Sequence, residues 1–355
     1  MTIRVGILGT GWGASVQVPA FRRAGMEVVA LWGRSEDKAR RVAAELSIPF
    51  ATCDENALVA HQKVGLVSVV IPPHLHARQA IKALEAGKHV LAEKPTALNA
   101  REAGQMLEAA RAHPGQLALI DHELRFLPSR RRMQSLIQEG YVGEVFAVEG
   151  VSRGVGLLNP RRSWNWWSEA EKGGGLVGAI GSHFVDALTW LIGRRVISVG
   201  ADLRTFIRER TDVDGQSRPV TSDDYAALQL KFEGGVSGTI SLSGVVGGPS
   251  VHRLVVAGSE GSLTYEDQRL IGHRLGADSP EDLTVPENLE LPPGLPNTEW
   301  SRGTVHLARA LRAALEGGDA SALEPAATFA DGLHVQQVLD AAHASNTNGR
   351  WIDLN

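Results

Sequence analysis

The sequence predicts an α/β chain, with an N-terminal doubly wound parallel sheet over residues 1–121 and an α+β domain with a large open, mainly antiparallel sheet over 122–355. Three observations lead there. Residues 1–120 alternate short, continuous apolar runs with helix-periodic stretches, the pattern of βαβ units whose strands are covered on both faces. Beyond His122 the strands lengthen and follow one another, with apolar and polar residues alternating. At 355 residues the chain is long enough for two domains that each bury a core.

In order, IRVGIL, EVVALW, LVSVVI, HVLAE and LALID read as strands of the first sheet, with helices over 36–46, 76–86 and 100–112 between them. Right-handed crossovers wind such units into one sheet. A helix over 128–139 follows, then the strand runs VFAVEGVSR, VISVGADLRTF, YAALQLKFEGGVSGTISLSG and RLVVAGSEGSLTYED. In the third of these, Leu228, Leu230 and Phe232 alternate with Ala227, Gln229 and Lys231. Past a turn at Gly234 and Gly235, Val236, Ile240 and Leu242 alternate with Ser237, Thr239, Ser241 and Ser243. That is a hairpin with one apolar face. Helices 128–139 and 183–192 are expected to cover it, leaving the small-polar face for solvent or a second subunit. Five prolines between Gly276 and Asn297 make that stretch a loop and a candidate lid. Helices over 300–316 and 325–345 close the chain.

Composition narrows the function. A net charge of −4 gives no basic footprint, which argues against nucleic acid and anionic membrane as partners. No window of 18 consecutive apolar residues occurs, so no bilayer span is expected. The single cysteine, Cys53, cannot form an internal disulfide, which fits a reducing compartment. With a strand-like run from residue 3 leaving no room for a signal peptide, the expected location is the cytoplasm. No metal site is assigned.

GILGTGWGA sets Gly9, Gly11 and Ala14 as G-x-G-x-x-A between a strand and a helix, with Thr10, Trp12 and Gly13 completing the turn. In that context the spacing points to a dinucleotide. Gly9 permits the tight turn, Gly11 lets the backbone approach a pyrophosphate, and Ala14 keeps the helix near the sheet. The helix N-terminus favours the phosphate charge. The second strand ends in Gly33, where an acid would bind a ribose diol, and Arg34 and Ser35 follow. A cation and a hydroxyl suit a 2′-phosphate, so NADP is the preferred cofactor; NAD is the alternative, with Arg34 then covering the adenine. HVLAEKP puts Glu93 and Lys94 at the carboxyl end of a parallel strand, the edge that faces the ligand crevice. IPPHLH brings Pro72 and His76 to the same edge, His76 as a helix-start residue packing near the cofactor.

Taken in order, GILGTGWGA, PPHLHARQAIKALEAGKHVLAEKP, RFLP and GGGLVGAIGSHFVDALTWL resemble the Gfo/Idh/MocA oxidoreductases, the relatives of glucose–fructose oxidoreductase and inositol dehydrogenase. DGLHVQQVLDAAHASNTNGRWIDL is similar to that family's C-terminal pattern. The resemblance implies an N-terminal Rossmann domain, NAD(P)-dependent chemistry mostly on sugars and cyclitols, and dimers or tetramers built through the sheet face. It implies catalytic roles for the lysine of E-K-P, Lys94, and for the histidine after the glycine triplet, His183. Asp186 matches a common family acid. The chain departs from the pattern at Ala179, where the family commonly has an aspartate, and at Pro73, which replaces the asparagine of T-P-N-x-x-H.

The expected chemistry is hydride transfer between nicotinamide and a secondary alcohol or ketone. His183 serves as general acid–base and the Lys94 ammonium stabilises developing alkoxide charge. Substrate contacts are expected from Lys94, His183 and Asp186, from Trp164 and Trp166 in NPRRSWNWWSE, and from His122 and Arg125. Two alternatives stay open. One is a cofactor-binding regulator without turnover, like the galactose-pathway repressor that resembles this family; Ala179 favours it, while Lys94 and His183 oppose it. The other is an enzyme acting on a non-sugar substrate such as a dihydrodiol or an imine.

Overall fold

The computed structural model describes residues 2–354. The chain divides into two compact units, but not at residue 121: the first runs to Leu127 and takes back Asn288–Leu333, and the second is Pro128–Glu287 with the residues from His334 onward. Packing explains the return. Leu307, Ala308 and Leu311, on the helix Glu299–Gly317, are buried in one cluster with Val5, Ile7, Val18 and Phe21. The proline-rich stretch follows the same logic and is no free lid. Leu289 and Leu295 are buried with Val16, Ala20 and Val305, and the Arg23 side chain donates to the Glu290 carbonyl at 3.0 Å.

The first unit holds β1 (Arg4–Leu8), β2 (Glu27–Trp32), β3 (Phe50–Thr52), β4 (Leu66–Val69), β5 (His89–Ala92) and β6 (Ala118–Ile120). Between them lie α1 (Val18–Arg23), α2 (Glu36–Glu45), α3 (Glu55–Val59), α4 (His76–Glu85) and α5 (Ala100–Ala112). The strands are parallel in the order β6-β5-β4-β1-β2-β3, and the short strand Ala327–Thr328 pairs antiparallel with β6. The strand order reverses between β1 and β4, which makes the carboxyl ends of these two strands the place where a ligand crevice forms. The continuous apolar strands are buried as expected, with β4 fully so.

The second unit starts with α6 (Pro128–Gln138), β7 (Val145–Arg153), α7 (Ser182–Ile192) and β8 (Val196–Arg204). A two-stranded hairpin of β9 (Glu209–Thr211) and β10 (Ser217–Pro219) follows. The rest is β11 (Tyr225–Phe232), β12 (Ser237–Ser243), β13 (Val251–Gly258), β14 (Gly261–Glu266), β15 (Arg269–Arg274) and β16 (Glu281–Asp282). The large sheet runs β16-β15-β14-β13-β7-β12-β11-β8, with Ile352–Asp353 at the far edge. Its pairs are antiparallel apart from β7 with β12, which is parallel. The alternation in β11 and β12 does what it predicts. Leu228, Leu230, Phe232, Ile240 and Leu242 are buried with Met133 and Leu136 of α6 and Phe184, Leu188 and Leu191 of α7, while Gln229, Lys231, Ser237 and Thr239 are exposed. Ser243 departs from the pattern and is buried. The run Ala170–Ile192 has the length and composition of a membrane span, but most of it is buried within the protein, as the core helix of a globular unit is.

Candidate active site

Each unit carries one half of the predicted set. In the first, the turn after β1 is shaped by two glycines that the protein itself requires. Gly9 has φ +140°, and a Cβ there would stand 2.0 Å from the Val70 carbonyl oxygen. A Cβ on Gly13 would meet Ile7 Cγ2 at 2.7 Å. Gly11 differs: a Cβ there would have nothing within 4 Å. No packing demand accounts for Gly11, whereas a phosphate lying against the backbone does. Beyond it a π-helical turn, Gly13–Gln17, runs into α1, and Trp12 is 40% exposed at the helix start. Ala14 is buried, holding the helix to the sheet, while Thr10 is partly exposed. This cradle fits a dinucleotide.

At the end of β2, Gly33 is buried, and a Cβ would meet Thr10 Cγ2 at 2.7 Å and Ala39 Cβ at 3.2 Å. A side chain at that position would have to displace the Thr10 methyl, and no carboxylate stands there to take a ribose diol. Arg34 is exposed. The Ser35 hydroxyl caps α2, accepting from Lys38 N at 3.4 Å, and is also exposed.

Glu93 and Lys94 follow β5 and are partly buried. His76 is a strut rather than a surface contact. It is 1% exposed, with Nδ1 2.9 Å from the Pro95 carbonyl and Nε2 2.6 Å from the Ile71 carbonyl. Burial drives its pKa down to about 4 although those carbonyls favour the charged ring. The neutral ring has a single N–H and donates to one of the two carbonyls, packed between the segment after β4 and the turn that presents Lys94. Pro72 is partly exposed at the start of that segment. Arg125, expected at a substrate, is 5% exposed and committed elsewhere: it donates to the Pro325 carbonyl at 3.3 Å and pairs with Asp331 at 3.4 Å. Burial pushes Asp331 up, but the Arg125 charge and Thr328 outweigh it and hold the carboxyl below its usual range. His122, three residues before Arg125, is buried as well.

Sequence reasoning missed a polar network beneath Lys94. The Gln17 side-chain carbonyl accepts from Ser68 Oγ at 2.5 Å, which turns its amide nitrogen toward Glu93 Oε1 at 3.1 Å and Asp121 Oδ2 at 2.8 Å. The available signals were a serine inside the otherwise apolar β4 and a glutamine between Val16 and Val18.

In the second unit, His183 and Asp186 lie on α7, where they are 3% and 2% exposed, and Ala179 lies on the π-helical turn Val177–Gly181 before it. The start of this helical run is held by Asp223, whose Oδ2 accepts from Leu176 N and Val177 N, both at 2.8 Å. Gly175, with φ +115°, is pressed so close that a Cβ would stand 2.3 Å from Asp223 Oδ1. The third glycine of the triplet is therefore a requirement of the helix start. Gly193 at φ +63° ends α7. Trp164 is tied to the β9–β10 hairpin, its ring nitrogen donating to the Pro219 carbonyl at 2.9 Å. Trp166 packs on Trp167 at 5.6 Å between ring centres and stays partly exposed.

Comparison with known proteins places this geometry. Residues 3–120 match the family described as "Oxidoreductase family, NAD-binding Rossmann fold", and residues 130–264 match the GFO/IDH/MocA C-terminal domain. The human glucose-fructose oxidoreductase domain-containing protein 2 is 37% identical over 98% of this chain and 92% of its own length. The chain belongs to the Gfo/Idh/MocA oxidoreductase family. An oxidoreductase domain protein of Kribbella flavida superposes with a TM-score of 0.88 at 28% identity, covering all of both chains. Levoglucosan dehydrogenase in complex with NADH and L-sorbose has the same fold, with a TM-score of 0.88 at 23% identity over 100% of this chain and 99% of its own. The N-terminal unit is an NAD-binding Rossmann domain, and the family is one of oxidoreductases.

Proposed function

We propose that this chain is an NAD(P)-dependent dehydrogenase or reductase acting on a CH–OH group of a sugar, sugar derivative or cyclitol. The observation that carries the reading is the glycine turn, where Gly11 is open although its neighbours are closed, at the carboxyl edge that also presents Lys94. Levoglucosan dehydrogenase, a structural neighbour solved in complex with NADH and L-sorbose, supports the substrate class. Bound nicotinamide supplies the hydride acceptor or donor. His183 takes the hydroxyl proton as the carbon is oxidised and returns it in the reverse direction. Lys94 holds the developing charge on the oxygen. Asp186, one helical turn from His183, and Trp166 supply substrate contacts. A panel of sugars, keto-sugars and cyclitols, followed by nicotinamide absorbance with both cofactors, tests this. Cofactor binding without turnover on any of them favours the regulator.

NADPH is the tighter cofactor on this reading, because position 33 carries no acid and Arg34 stands exposed beside it. Loss of one charge-assisted phosphate contact costs about 1.5–3 kcal/mol, so Arg34→Ala removes most of the preference. Fluorescence titration with NADPH and NADH checks it; a wild-type preference for NADH contradicts it.

The exposed small-polar row of Ser237 and Thr239 is the face through which we expect two copies to associate. Light scattering at micromolar concentration is expected to give the mass of a dimer or tetramer. A monomer at all concentrations rules this out.

A further inference from the structure

We propose that Glu93 and Asp121 hold one proton between them and give it up when a positively charged nicotinamide ring binds, so that this pair sets the preference of the site for oxidised over reduced cofactor. The inference rests on the cofactor reading above, and it assigns a role to Asp121 that neither the sequence nor the comparisons supply.

Geometry comes first. With its carbonyl taken by Ser68, Gln17 has two N–H groups to give, and it points its amide nitrogen at one oxygen of each carboxyl. The Lys94 backbone N–H reaches Glu93 Oε2 at 3.3 Å. Asp121 is 1% exposed, and its Oδ1 is buried with no hydrogen-bond donor facing it among the described residues. The two carboxyls also meet each other. Ionised carboxylates only accept, so two that touch are joined only if a proton lies between them. A protonated Asp121 turns that contact into a donated bond.

The surrounding charges agree. Burial pushes Asp121 well above the usual carboxylate range, and the negative charges of Glu93 and Glu123 push it further; Gln17 and Lys94 oppose this without reversing it. Burial also raises Glu93, against the pull of Lys94. The two carboxyls are raised together and titrate as a unit. Four segments face it: the end of β5 with the following Glu93 and Lys94, the segment after β6 with Glu123, the π-helical turn with Gln17, and β4 with Ser68. The helix Glu299–Gly317 packs over Glu123 at Gly303, and its buried Ser301 and Thr304 bring no charge. Arg125 is matched by Asp331. The Lys94 charge acts on both carboxyls from the end of β5.

Oxidised nicotinamide carries a positive charge that the reduced ring lacks. If the ring binds at this strand edge, as the cofactor reading has it, its charge would favour the dianionic pair, and the shared proton would leave to solvent. Reduced cofactor gives no such drive. By linkage, the affinity for oxidised relative to reduced cofactor rises with pH, at most tenfold per pH unit for one proton.

The test is binding calorimetry with the oxidised and reduced cofactor in two buffers of different ionisation enthalpy between pH 6 and 9, on the wild type and on Asp121→Asn. The amide mimics the protonated acid. The wild type is expected to release a fraction of a proton up to one proton with the oxidised form and none with the reduced form. The Asp121→Asn chain is expected to release none and to show an affinity ratio independent of pH. A second measurement needs no variant: carbon-13 NMR of the aspartate carboxyls in the cofactor-free chain is expected to show one aspartic acid still protonated at pH 7. Equal proton release with both forms, or every aspartate ionised at pH 7, overturns the inference while the cofactor reading stands. Failure of both forms to bind overturns the two together.

Discussion

His183→Ala is expected to lower turnover by about 10²–10⁴-fold, the range a positioned general acid–base supplies. Cofactor affinity is expected to change less than threefold, because His183 belongs to the second compact unit and the glycine turn to the first. The side chain is 3% exposed, so near-ultraviolet circular dichroism must first show that the variant keeps its packing. Lys94→Ala is expected to lower turnover as well, through lost stabilisation of charge on the oxygen. If the two side chains serve one proton-and-charge event, the double variant loses less than the product of the single losses. Full additivity would mean that they act in separate steps.

Gly9→Ala and Gly11→Ala are expected to fail in opposite ways, although they lie two residues apart. At Gly9 the added methyl meets the Val70 carbonyl at 2.0 Å on a backbone with φ +140°, so unfolding stability falls by about 3 kcal/mol or more. At Gly11 it meets nothing in the protein. Gly11→Ala therefore keeps its denaturation midpoint but binds cofactor at least tenfold more weakly, a change of about 1.4 kcal/mol. Urea unfolding and nucleotide titration of both variants separate the effects. A Gly11→Ala chain that binds as tightly as wild type would mean that no phosphate approaches the backbone there.

Much of this was legible in the sequence because the signals were local. The continuous apolar runs gave β1, β2, β4, β5 and β6 to within two residues, and VFAVEGVSR is β7 to the residue. Short elements escaped. β3, α3 and the single strands β9 and β10 span three to five residues each, too few to display a period. The return of residues 288–333 to the first unit escaped for another reason: Leu289, Leu295 and Leu307 find their partners near residues 5–21, and nothing in the local pattern names them. Prolines marked the irregular backbone correctly and said nothing of where it packs.

The candidate site divides along the same line. Gly9, Gly11, Lys94 and His183 stand in motifs whose context is readable. The uses of Gln17, Ser68, Asp121 and Asp223 depend on strands and turns brought together by folding. For Arg125 and Trp164 the residue type suggested a ligand, while folding also places Arg125 in an ion pair and Trp164 as a hairpin anchor, roles that residue type alone does not reveal.

The most direct measurement of the central claim follows the hydride itself. Wild-type chain is incubated with a keto-sugar and reduced cofactor deuterated at nicotinamide C4, and the product is analysed by mass spectrometry and NMR. Deuterium is expected on the carbinol carbon of the product, with transfer slowed by about 10²–10⁴-fold in His183→Ala. A chain that binds the reduced cofactor yet transfers no deuterium to any sugar, keto-sugar or cyclitol ketone would contradict the assignment.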